Sequence, residues 1–150
     1  MEQIERWVAD LVSKDDTIAS AAMKGLLVES ERSNQVYLYF DRFVAFLDSV
    51  NGYHRIRGIF LIGANAKWDV DFKVDEMISR YLRLTMDEKP SVSRLCIQGL
   101  PQIAKAKPEL VGEILQALRR VNPLRYKDTM SPLIQKDVAK AIELIERLKR

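Results

Sequence analysis

One cysteine and one histidine stand in a chain of 150 residues. A single thiol, Cys96, excludes an internal disulfide and fits a reducing compartment. Together with His54 it falls short of a tetrahedral zinc site. Glycine (six) and proline (five) are too few for a β-rich fold with many tight turns. No apolar run approaches the ~20 residues of a membrane-spanning helix; the longest, Ile56 to Ala66, carries Arg57 and Asn65. The chain has no Gly-x-x-x-x-Gly-Lys phosphate loop and no Gly-x-Ser-x-Gly nucleophile elbow. Without a second histidine, an acyl-transfer triad has little support. The first six residues, Met1-Glu2-Gln3-Ile4-Glu5-Arg6, lack the charged-then-apolar order of a secretory signal. These absences predict a cytoplasmic protein with no membrane association, no cofactor and no conventional active site.

What is present is the balance of a folded chain: 47% apolar and 30% charged residues. The net charge of +3 is too small to imply nucleic acid by itself, but its distribution is uneven. Residues 1–75 carry nine Lys/Arg and twelve Asp/Glu; residues 76–150 carry fifteen and nine. An acidic half followed by a basic half can steer a charged partner, although solvated helix faces account for it as well.

Apolar residues recur at spacings of three and four, which predicts amphipathic helices through nearly the whole chain. Eight are expected: Gln3 to Ser13; from Asp15-Asp16, as N-caps, to Glu31; from Ser33 or Asn34 through Leu47; Tyr53 to Ala66; one opened by Asp69-Val70-Asp71; one after Asp87-Glu88-Lys89-Pro90; one opened by Lys107-Pro108; and Ser131-Pro132 to Arg150. Pro90 suits a first turn, where its missing N–H is not needed. Pro101 falls inside the sixth helix and is expected to kink it. The connections are short, so successive helices should run antiparallel.

A repeat underlies this series. When the even-numbered helices are aligned on Ile18, Ile56, Val92 and Ile134, the residues seven places on are Gly25, Gly63, Gly99 and Ala141. Mid-helix glycine costs about 1 kcal/mol relative to alanine, so the recurrence predicts close approach of a neighbouring helix, and leucine at Gly63 or Gly99 should overpack. On these residues, and on Asp87 to Arg94 followed by Gly99-Leu100, the chain resembles the HEAT/armadillo class of helical repeats, whose units run about 40–47 residues. The segment Asp128 to Ile142 is similar. The resemblance implies an all-α, right-handed α-α superhelix, a solenoid of about four antiparallel pairs. The approximate units are 1–33, 34–68, 69–107 and 108–150 of a single domain. It also implies a non-enzymatic scaffold that takes a protein or peptide partner on its concave face. One helix pair cannot hide its apolar stripe alone, whereas stacked pairs share a continuous core.

Two constellations stand out as possible contacts. Arg55, Arg57, Lys67, Trp68 and Asp69 surround the fourth helix and its exit, and Arg94 follows in the sixth. An exposed tryptophan among basic groups can stack on a base or hold a peptide; the other reading is a hydrophobic plug. Arg55, Arg57, Trp68 and Arg94 are the residues expected to meet a partner. The second set is Arg119, Arg120, Arg125, Tyr126 and Lys127, with Lys136 and Lys140, in the last unit. It fits an acidic protein surface or phosphate, or plain solvation of an end cap. An alternative function follows from it: nucleic-acid binding. A HEAT-like family of alkylpurine DNA glycosylases combines tryptophans with an aspartate on such a scaffold, but no residue of its site can be matched here. Self-association through an uncapped apolar end is a third expectation. Cys96 is expected in the core and His54 at the surface.

Overall fold

Asp15 accepts hydrogen bonds from the backbone N–H groups of Thr17 and Ile18 and so caps the helix that follows it. Asn51 does the same for Tyr53, and Pro90 occupies a first turn. These local signals set several boundaries in the structure, a computed structural model that describes residues 2–149. Among the described residues eight α-helices result: α1 (Glu2–Asp10), α2 (Asp16–Arg32), α3 (Phe40–Phe46), α4 (Gly52–Asn65), α5 (Lys73–Arg83), α6 (Pro90–Ala106), α7 (Val111–Arg120) and α8 (Ser131–Leu148). The described residues contain no strand. None of their helices is long and apolar enough to cross a membrane. The expected end of the last helix at Arg150 lies outside the described residues.

Several expected boundaries shift. Residues Val36–Tyr39 form a 3-10 turn before the short α3. The largest correction concerns α5, which begins at Lys73 and not at Asp69. Asp69 lies four residues before α5 and is drawn into the core, where its carboxylate accepts the Tyr37 hydroxyl at 2.6 Å. The residue before α5 is Phe72, in the left-handed region at φ 57°, and the first-turn acids are Asp75 and Glu76. The α6 helix continues through Pro101 to Ala106.

The chain divides into two compact units between Asp71 and Phe72. In the first, α1 packs on α2, α3 on α4, and α2 on α4. Its core contains Leu11, Leu26, Phe40, Phe43, Ile59, Leu61 and Ile62, all essentially inaccessible. Burying each such side chain contributes about 2 kcal/mol. In the second, α6 packs on α8 and α7, around Tyr81, Ile97, Leu100, Ile103 and Ile114. Cys96 is buried there as expected: its thiol donates to the Tyr81 carbonyl at 3.3 Å, and burial pushes its pKa well up.

Helices approach closely at two glycines of the first unit. A Cβ on Gly25 would stand 2.5 Å from the Trp7 ring, and one on Gly58 would stand 2.7 Å from the Phe43 carbonyl oxygen. Gly25 is one of the aligned glycines; Gly58 is not. Gly63 is buried and Gly99 half-buried. The aligned anchors do not share one environment: Val92 and Ile134 are fully buried, whereas Ile18 is 44% exposed.

Candidate functional site

The residues expected to meet a partner are largely engaged within the fold. Arg55 is only 5% exposed, and its guanidinium donates to the Ser49 carbonyl at 2.9 Å; as a contact residue it is corrected. Arg57, two residues on, turns to the half-buried side of α4 and donates to the Leu11 carbonyl at 2.5 Å, tying α4 to the chain just after α1. Trp68 is half-buried, and its indole N–H donates to the Ser30 carbonyl at 2.8 Å. Next to it, the Asn65 amide donates to Ser30 Oγ at 3.1 Å and to the Leu61 carbonyl at 2.9 Å. Trp68 therefore ties the end of α2 to the exit of α4. Lys67 lies 5.5 Å from the centre of the Trp68 ring and pairs with Glu31. In the second unit Arg94 meets Asp137 through two bonds, 2.7 and 3.3 Å, from α6 to α8.

The basic set of the last unit divides. Tyr126 is buried at 8% exposure and its hydroxyl donates to the Asp87 carbonyl at 2.7 Å, so it is not offered to a partner from an open loop. Its flanking residues Arg125 and Lys127 are exposed, as are Lys136 and Lys140. Arg119 pairs with Glu146 at 3.0 Å on the surface. Arg120 is exposed and enters no hydrogen bond or ion pair among the described residues.

His54 is half-buried, with Nδ1 3.3 Å from Ser49 Oγ. Burial, and then the charge of Arg57, lower its pKa. It lines a small polar recess with Lys14, Asp16 and Arg57.

Arg120 belongs to a different feature, a groove of about 390 Å³ in the second unit. Ser79, Leu82 and Arg83 of α5, Thr85 and Met86 just after it, and Glu113, Gln116, Ala117 and Arg120 of α7 line it. The amphipathic spacing explains why it exists. α5 and α7 each turn a stripe inward, Val74, Met77, Ile78 and Tyr81 on one and Ile114, Leu115 and Leu118 on the other. The cleft opens beside those stripes, where Ala117 is the smallest of the lining side chains. The Asn122 N–H reaches the Met86 sulfur at 3.4 Å, so the C-terminal ends of α5 and α7 lie side by side.

Comparison with protein-family models, with curated proteins and with solved structures finds no match to this chain.

Arg83 and Arg120 are the last residues of α5 and α7, and they stand at the same end of the groove. Arg83, like Arg120, is exposed and makes no hydrogen bond or ion pair among the described residues. Glu113 lies seven residues before Arg120, about 10 Å back along α7 at 1.5 Å per residue. The groove thus has an apolar floor of Leu82, Met86 and Ala117, a cationic end and an anionic side chain towards the other. Sequence reasoning named Arg120 but missed Arg83 and the groove. No spacing in the sequence pairs them: Arg83 and Arg120 are 37 residues apart, whereas Val92 and Ile134, the aligned anchors of α6 and α8, are 42 apart.

Proposed function

We propose that this chain is a non-enzymatic helical-repeat scaffold of the HEAT/armadillo kind that binds a protein or peptide partner. The observation that carries the reading is the groove between α5 and α7, an apolar trough between two helices with unsatisfied charges on its rim. A helix or extended segment laid in such a trough buries apolar area on the floor and takes its orientation from the rim. The recurrence of Ile18, Ile56, Val92 and Ile134 and of the small residues after them supports a repeat scaffold. Arg55, Arg57 and Trp68 are engaged in internal hydrogen bonds, which favours a contact surface in the second unit.

Ala117 is half-buried in the groove, and Ala117→Trp fills the trough without touching the core. Tagged wild-type chain and this variant are to be compared in pull-downs from the native host. The expected result is a protein recovered by the wild type and lost with Ala117→Trp. Equal recovery by both, or none by either, would overturn the reading.

A further inference from the structure

We infer that the groove selects an acidic amphipathic segment of a partner protein, seated with its carboxylates at the Arg83/Arg120 end; this rests on the docking reading above. Three observations lead there. First, Arg83 and Arg120 line one groove without an ion pair among the described residues, whereas Arg94 pairs with Asp137, Lys107 with Asp75 and Arg119 with Glu146. A cation at a helix C-terminus is favourable in its own right. That effect places each arginine; it does not supply the apolar strip between them. Second, the unit is strongly basic, with sixteen Lys/Arg against ten Asp/Glu over residues 72–150, so an acidic partner is attracted from a distance and oriented on approach. Third, Glu113 sets a polarity. A cationic side chain on the ligand, two helical turns or about 10 Å from its carboxylates, completes the match.

The floor decides between classes of acidic ligand. Leu82, Met86 and Ala117 offer nothing to a phosphate backbone, and Glu113 repels one. Leucine, isoleucine or phenylalanine at helical spacing on the ligand removes that floor from water. Arginine matches carboxylate bidentately, which makes the pair directional as well as attractive.

The test uses the whole chain and a phage-displayed library of random 16-residue peptides. Enriched peptides are synthesised and titrated by fluorescence anisotropy against the wild type, the Arg83→Glu/Arg120→Glu double variant, Glu113→Lys and Ala117→Trp. Both arginines are exposed, so the variants keep the fold, which circular dichroism verifies. The expected peptides carry Asp or Glu clustered at one end and apolar residues three and four apart. They bind the double arginine variant about tenfold more weakly or worse, and peptides with Lys in place of those acids regain affinity for it. Binders lost on Ala117→Trp but without acidic bias, and indifferent to the arginines, would overturn this inference while leaving the docking reading intact. Binders indifferent to Ala117→Trp, or no binders at all, would overturn both. A 20-base-pair DNA duplex that displaces the peptide from the wild type and fails to bind the arginine variant would show a phosphate site instead and overturn the acidic-segment assignment.

Discussion

The two compact units spend their polar side chains differently. In the first, residues far apart in sequence are stitched by buried or half-buried hydrogen bonds. Trp68 reaches Ser30, Asn65 reaches Ser30, Tyr37 reaches Asp69 and Arg57 reaches Leu11. Burial, with Asp69 adding to it, raises the Tyr37 hydroxyl pKa well above its ordinary value, so the hydroxyl keeps the proton it donates at neutral pH. The second unit has long-range ties as well, among them Arg94 with Asp137, Lys107 with Asp75, Cys96 with the Tyr81 carbonyl and Tyr126 with the Asp87 carbonyl. Two arginines remain unpaired beside an apolar groove. The contrast shows that a conspicuous residue type is not a site. An arginine or tryptophan that satisfies a backbone carbonyl is holding the fold, whereas one left to solvent beside apolar surface is available for a partner.

The comparison breaks most sharply at the glycines. Gly58→Leu in the first unit must displace the Phe43 backbone and is expected to destabilise by about 3 kcal/mol or more. Gly112→Ala in the second has nothing within 4 Å of the new methyl and should raise stability by up to about 1 kcal/mol. Thermal melts followed by circular dichroism measure both; a neutral Gly58→Leu would mean that α3 and α4 do not pack as described. Next in size is Trp68→Phe, which keeps the ring but leaves the Ser30 carbonyl without its donor. A loss of about 1–2 kcal/mol in urea denaturation is expected, with peptide binding unchanged. Binding lost at full stability would restore Trp68 as a platform. Arg83→Glu should destabilise by no more than about 1 kcal/mol, the cost of an anion at a helix C-terminus, because the side chain makes no hydrogen bond or ion pair among the described residues. A larger loss would make it structural.

The smallest effect is in pH. His54 has its pKa lowered in the folded state, so the unfolded chain binds the proton more readily. Stability is therefore full above the ordinary histidine pKa of 6.5 and declines as pH falls through it. His54 is the chain's one histidine, so His54→Gln should flatten the denaturation midpoint between about pH 5.5 and 7.

Local signals carried well into the structure. Asp15, Asn51 and Pro90 start helices where short-range chemistry places them, and the three-and-four spacing located most of the buried stripes. Legibility failed where a side chain's partner lies far along the chain. Asp69 looks like a cap until Tyr37, 32 residues earlier, takes its carboxylate. Arg55 and Tyr126 look exposed by type, but their hydrogen bonds to the carbonyls of Ser49 and Asp87 allow burial. The recurrence at Ile18, Val92 and Ile134 was readable as spacing, yet Ile18 is half exposed where Val92 and Ile134 are buried, because equal spacing does not fix which face a helix turns inward. The groove was not legible, since α5 and α7 are separated by all of α6 and only packing brings Arg83 and Arg120 together.

Hydrogen–deuterium exchange of the whole chain, with and without a peptide enriched on it, tests the division of labour between the units most directly. Slowed exchange confined to residues 79–86 and 113–120 on binding is the predicted result. Slowing over residues 53–68 with none at α5 and α7 would contradict it and return the contact surface to the first unit.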